Sequence, residues 1–152
     1  MFSSKSVLAF GDRLKALPHL DAFIANAGVD TTRFERFEGN ESMLTVNVIS
    51  TLLIAMLALP KLRETSTTQQ NPTHLTLTGS VIHIFAKDEY LSKPKQGHIF
   101  SSLNDEKNAD MNDRYPLSKL LELLAFRQLV TEFDRATSGE EASVIVNYAN
   151  PG

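Results

Sequence analysis

The sequence predicts an α/β domain built on a parallel sheet of about three strands with flanking helices. Apolar residues recur at helical spacing in three separate segments, and each segment is followed by a short apolar or β-branched run. Each run then closes on turn residues: Asn26 to Gly28, Gly79 with Ser80, and Asn150-Pro151-Gly152. Strands alternating with helices imply right-handed crossovers and a parallel sheet covered on both faces. At 152 residues, 42% of them hydrophobic and 22% charged, the chain is long enough to bury a core and is globular in composition.

Ser4 to Leu17 carries Val7, Leu8, Phe10, Leu14 and Leu17 near helical spacing, with Ser3 or Ser4 as cap and Pro18 as stop. Asp21 to Ala25 reads as a strand buried on both faces. The run from about Glu41 to Glu64, apolar through Leu52, Leu53, Met56 and Leu59, is long enough to favour a helix, which Pro60 should kink or end. Thr65 to Thr73 reads as a solvent loop, and His74 to Thr78 as a strand stopped by Gly79. Lys87 to Asp113 is charged and periodless, a long loop whose ionic residues solvate it. Tyr115 to Thr137 returns to helical spacing with Pro116 in its first turn, and Ala142 to Tyr148 is the last strand.

Composition removes several classes of function. A net charge of −3 leaves no basic stripe for nucleic acid. The absence of cysteine excludes disulfides, thiolate metal sites and a cysteine nucleophile. The longest uncharged run, Ser42 to Pro60, holds Asn47 and several hydroxyls, closer to a buried helix than to a membrane span. No secretory signal opens the chain, so the expected location is cytoplasmic. The four histidines show no metal spacing, and only His83 falls near a strand end that could hold a ligand.

In a parallel sheet, ligands sit at the carboxyl ends of the strands. Asn26, Ser80 and the Asn150-Pro151-Gly152 end all fall there. Tyr115 and Lys119, four apart on a helix, share a face, and a lysine ammonium beside a phenol makes it a workable acid or base. Taken singly, each feature has a plainer reading. Ser80 is also a turn serine, Tyr115 and Lys119 a surface pair, and Asn26-Ala27-Gly28 a tight turn. Asn47, an amide in an apolar helix, must find a backbone group or a water.

In this order and context the pieces resemble one family, the short-chain dehydrogenases/reductases. Asn26-Ala27-Gly28 matches its NAG signature, Asn47 its catalytic asparagine, Thr78-Gly79-Ser80 the position of its catalytic serine, and Tyr115-Pro-Leu-Ser-Lys119 its YxxxK motif. Asn150-Pro151-Gly152 matches its proline-glycine after the sixth strand. The insertions after Ser80 and before the last strand look like those of retinol-dehydrogenase-like members, including fungal ones in secondary-metabolite pathways.

The resemblance implies a Rossmann-type sheet and an NAD(P)-dependent oxidoreductase that interconverts a carbonyl and a secondary alcohol. Tyr115 would give or take the proton, Ser80 would polarise the substrate oxygen, and Asn47 would anchor a proton-relay water. Lys119 would lower the pKa of Tyr115 and bind the nicotinamide ribose. Asn26, Ala27, Gly28, Tyr115, Lys119, Pro151 and Gly152 would contact NADP or NAD, which supplies the hydride. Pairing of two copies through the helices at Asn47 and Tyr115 is implied as well.

The same comparison shows departures. Family members carry three strands and two helices before the segment matching Ser4–Leu17, including a TGxxxGxG loop that binds pyrophosphate at a helix N-terminus. No G-x-G occurs among these 7 glycines, and the segments that follow the sixth strand are also without counterpart. The expected unit is therefore one incomplete domain over residues 1–152, with weakened cofactor binding and Asp21–Ala25 as a bare edge. The other readings are a shortened, non-catalytic relative acting as an interaction module, or a decayed product.

Overall fold

The computed structural model describes residues 3–87, 89–93, 98–137 and 143–151. In chain order the elements are α1 (Ser4–Lys15), β1 (Ala22–Ala25), a hairpin of β2 (Arg36–Phe37) and β3 (Asn40–Glu41), and a π-helical turn (Leu44–Ser50) running into α2 (Thr51–Gln69). There follow β4 (Thr73–Thr78), a 3-10 turn (Val81–Phe85), short helices α3 (Glu89–Ser92) and α4 (Ile99–Leu103), a 3-10 turn (Glu106–Asn108), α5 (Met111–Thr137) and β5 (Val144–Ala149).

The strands β1, β4 and β5 form one sheet in the order β1-β4-β5, parallel throughout. Register puts Phe23, Leu75 and Val146 in one row and Ala25, Leu77 and Tyr148 in another, all on the same face. That face packs on α2 and α5 through Ile54, Ala55, Ala58, Leu62 and Phe126, and α1 adds Val7 and Leu14. The alanines bring α2 close enough to seal Leu75 and Leu77 completely.

The opposite face differs from the expected double cover. Ala22, Ile24, His74, Ile145, Asn147 and Ala149 are exposed there, Ile24 by 65%. The helices of the main core, α1, α2 and α5, pack instead on the side of Leu75 and Leu77. Among the described strands β1 pairs with β4 alone, which leaves its other edge open, as expected for Asp21–Ala25.

Several boundaries moved for identifiable reasons. Helix α2 continues through Gln69 and absorbs half of the expected Thr65–Thr73 loop. Thr65 faces inward and accepts a hydrogen bond from the Leu20 N–H at 2.9 Å, while Thr67 and Thr68 return their hydroxyls to the carbonyls four residues back. Pro60 does not break α2. Both Pro60 and Met56, whose carbonyl loses its partner, face solvent, where water can replace the bond. No serine side chain caps α1. Glu38 does so from the β2–β3 turn, accepting from the Ser4 N–H and hydroxyl, both at 2.9 Å. Those bonds hold its carboxyl below the usual carboxylate range. The turn itself is the two-residue type with positive φ at Glu38 (53°) and Gly39 (87°).

The Lys87–Asp113 stretch is not a simple solvated loop. Its described part forms helical turns, and Leu103 is buried in a second core with Leu44, Val48 and Leu117. Asp113 and Arg114 are also buried, the latter 3.8 Å from the fully buried Glu41. Helix α5 begins at Met111, so Pro116 lies in the second turn rather than the first. Strand β5 runs one residue beyond Tyr148, and Ala142 lies outside the described residues. The Leu44–Gln69 run is apolar and long enough to span a membrane by composition, but most of it is buried within the fold as a core helix.

Candidate active site

At the carboxyl ends of the three strands lies a cleft of about 310 Å³, lined by Asn26, Gly28, Ser80, Tyr115, Lys119 and Pro151 together with Val29, Asp30, Thr78 and Gly79. The topology thus gathers residues spread over the whole sequence. β1 delivers Asn26 and Gly28, β4 delivers Ser80, α5 delivers Tyr115 and Lys119, and β5 delivers Pro151. Ala27 lies just outside, lining a larger apolar groove of about 390 Å³ between α1 and the open edge of β1, which Asn26 also borders. Gly152 lies outside the described residues.

Ser80 occupies both roles open to it. Its Oγ accepts from the Ile82 N–H at 3.3 Å, capping the 3-10 turn, which leaves its own O–H free to donate into the cleft. The turn is held by the Asn150 side chain, which accepts from the Val81 N–H at 3.1 Å, and by the Gly79 N–H donating to the Ala149 carbonyl at 2.7 Å. His83 does not line the cleft; its Nδ1 is 2.6 Å from the Ser80 carbonyl, within the same turn.

Asn47 is fully buried inside the π-helical turn. Its Oδ1 accepts from the Val29 N–H at 2.8 Å, and its Nδ2 donates to the Val29 carbonyl and to the Ser118 Oγ, both at 2.9 Å. The amide is therefore a clamp on the loop after β1, and a relay water would have to use another group of this residue. Ser118 passes its own proton to the Tyr115 carbonyl at 2.8 Å, so Asn47 is tied to the turn of α5 that presents Tyr115. Glu41 anchors the start of the π-helical turn, accepting from the Met43 N–H at 2.9 Å and the Leu44 N–H at 3.3 Å.

The electrostatics differ from the expected Tyr115–Lys119 pairing. The Lys119 Nζ donates to the Thr78 carbonyl and to Glu122 Oε2, both at 2.9 Å, and both side chains of this ion pair are buried. The charge of Lys119 is thus balanced by Glu122. Burial, then the charges of Asp30 and Glu122, push the Tyr115 pKa upward. The Tyr148 hydroxyl lies 3.4 Å from Glu122 Oε2 and 3.3 Å from the Lys119 carbonyl, and burial pushes it up strongly. Burial also raises the Glu122 carboxyl, against the opposing pull of Lys119.

Sequence reasoning missed Ser118, Glu122, Tyr148 and Asp30. Two of them had a signal. Ser118 interrupts an apolar helix face, and Glu122 stands three residues after Lys119, where side chains meet on a helix. Asp30 and Tyr148 reach the site only through the fold.

The cleft keeps a donor for a ligand, and the resemblance implies that this ligand is the ribose-nicotinamide end of a dinucleotide. An ammonium has three N–H donors, and two of those on Lys119 are used, leaving one for a ligand hydroxyl. A Cβ at position 28 would stand 3.3 Å from Asn47 Oδ1, a tight contact, and 3.9 Å from Lys119 Nζ, so a side chain there would crowd the Asn47 amide. Among the described residues there is no cluster able to hold a metal ion.

No family model matches the chain. It is 37% identical over 155 residues to the short chain dehydrogenase/reductase dmxR8 of Cryptosporiopsis sp. (strain 8999), covering all of this chain and 46% of that protein. It is also 37% identical over 152 residues to the short-chain dehydrogenase anuD of Penicillium roqueforti (strain FM164), covering all of this chain and 39% of the relative. The chain thus spans less than half the length of these two curated relatives. Among solved structures, the NADH-dependent reductase A1-R′ complexed with NAD matches 99% of the chain with a TM-score of 0.64 at 18% identity, over 54% of its own length. The Pseudomonas aeruginosa RhlG/NADP active-site complex matches 99% with a TM-score of 0.60 at 22% identity, over 50% of its length. At such identities the structural likeness speaks for the fold.

Proposed function

We propose, for a chain that is homologous along its length to the short-chain dehydrogenases/reductases, that it carries the catalytic half of an NAD(P)-dependent oxidoreductase interconverting a carbonyl and a secondary alcohol. The observation that carries this reading is the convergence of Ser80, Tyr115 and Lys119 on one cleft at the strand ends. A nicotinamide cofactor, when bound, supplies or accepts the hydride. Tyr115 gives its phenolic proton to the developing alkoxide, or takes it back in oxidation. Raised above the usual phenol value, it is a protonated donor at neutral pH. Ser80 donates to the same oxygen while the Ile82 N–H fixes its orientation. Lys119 offers its remaining N–H to a ribose hydroxyl, and Asn26, Gly28 and Pro151 wall the cleft beside it.

The substrate in this reading is a small carbonyl or alcohol; a role in fungal secondary metabolism and a cytoplasmic location belong to the same proposal, and the two relatives are fungal proteins. The pairing of two copies through the helices at Asn47 and Tyr115 belongs to the same proposal. Its test is turnover by the longest natural form of the protein, followed by nicotinamide absorbance. Activity that disappears in Tyr115→Phe, with cofactor binding kept, supports the reading. Turnover retained in that variant overturns it.

A second reading, a shortened relative acting as an interaction module, is favoured by the bare face around Ile24 and Ile145. The intact mass of the native protein separates the two: about twice 16.9 kDa supports the enzyme, and 16.9 kDa the module.

A further inference from the structure

Lys119 and Glu122 form a buried ion pair on the wall of the cleft, side chains 6% and 1% exposed, with the ammonium 2.9 Å from both the Thr78 carbonyl and the carboxylate. The carboxylate is held in turn by β5, whose Tyr148 hydroxyl stands 3.4 Å away. The Tyr148 ring packs so tightly on the Gly79 backbone that a Cβ there would come within 2.1 Å of it. Glu122, Tyr148 and the end of β4 therefore enclose the lysine from three elements. A carboxylate is costly in such a place unless it is paired, and its cationic partner among the described residues is Lys119, a residue of the cleft.

We propose that Glu122 is a positioning residue that holds the Lys119 ammonium on the Thr78 carbonyl, so that the ligand-free cleft keeps a balanced lysine and Lys119 acts on Tyr115 only after leaving Glu122. This rests on the reading of Tyr115 and Lys119 as the reacting pair, but its test needs neither cofactor nor substrate. The groups around Tyr115 that carry or can acquire charge are Asp30 from the loop after β1, Lys119 and Glu122 from α5, and Tyr148 from β5. Removing Glu122 alone leaves a cation with no counter-ion, free to turn to the phenol.

The experiment is ultraviolet titration of the Tyr115 phenol in the 152-residue chain, isolated by subtracting Tyr115→Phe from each background. Glu122→Gln is expected to lower the midpoint by about one pH unit when Lys119 is present. In a Lys119→Met background the same substitution is expected to lower it by less than about a third of a unit, the direct effect of one charge. Equal shifts in the two backgrounds, or no shift in either, overturn the proposal, and a merely structural glutamate predicts one of these. Should Glu122→Gln fail to fold, the unsubstituted chain still decides. Reductive methylation mapped by mass spectrometry is expected to modify Lys119 about tenfold more slowly than the exposed Lys5 and Lys15. Equal rates overturn the proposal. Loss of turnover in the longer protein bears on the enzymatic reading instead, so the two failures are distinguishable.

Discussion

Tyr115 shows how the fold sets the chemistry of a single side chain. Its sequence neighbour Lys119 suggests a depressed pKa, but the carboxylates that the fold brings near, Asp30 and Glu122, act the other way. Asp30→Asn is therefore expected to lower the Tyr115 midpoint, read by the same difference titration. Tyr115 and Tyr148 are both raised in the folded chain, whereas an unfolded tyrosine titrates near pH 10. Protonated tyrosine is thus favoured by folding. Its contribution is fully present below about pH 10 and is lost as pH rises toward the folded values. Urea midpoints should fall as the pH is taken above about 10, and Tyr148→Phe should flatten that fall. Gly79→Ala is expected to cost about 2 kcal/mol or more in the same measurement, because its Cβ would overlap the Tyr148 ring.

At the scale of elements, the join between the π-helical turn and α5 matters most. Glu41 caps the turn, Arg114 lies 3.8 Å from it, and Asn47 and Ser118 continue the connection to the Tyr115 carbonyl. Among the described residues the Nε and Nη1 of Arg114 have no hydrogen-bond partner, and burial lowers its pKa, so Glu41 is the main compensation for this guanidinium. Glu41→Gln removes that charge and is expected to cost about 3 kcal/mol by urea unfolding. In α2 the opposite sign is expected. Pro60→Ala restores a helical N–H on the solvent side, and should stabilise the chain by about 1–2 kcal/mol after allowing for the freer unfolded state.

For the whole molecule, the consequence of three strands with helices on one side is exposed apolar surface. Ile24 and Ile145 stand 65% and 42% exposed on the uncovered face, next to an unpaired edge. The isolated chain is expected to self-associate, and Ile24→Lys should reduce the apparent mass in sedimentation. Affinity for NADH or NADPH should be negligible in the isolated chain, because no described glycine-rich turn opens a helix to receive pyrophosphate. A dissociation constant in the low micromolar range by fluorescence titration would overturn this.

The alternation of apolar helix and β-branched strand was readable residue by residue, because burial imposes periods of 3.6 and 2 on any chain that forms those elements. It determined the parallel sheet of three strands and the placing of Asn26, Ser80 and Pro151 at one end, whereas the joining of Tyr115 and Lys119 to them was implied only by the family resemblance. Turn chemistry located the strand ends, though not the length of α2, where inward threonines supply their own hydrogen bonds. The tertiary structure alone decided which charges face one another. Arg114 and Glu122 are buried by the packing, at 2% and 1% exposure. Asp30 and Glu122 are 92 residues apart in the chain, yet both act on Tyr115. Coulomb interactions depend on distance and burial in space, and local sequence carries neither.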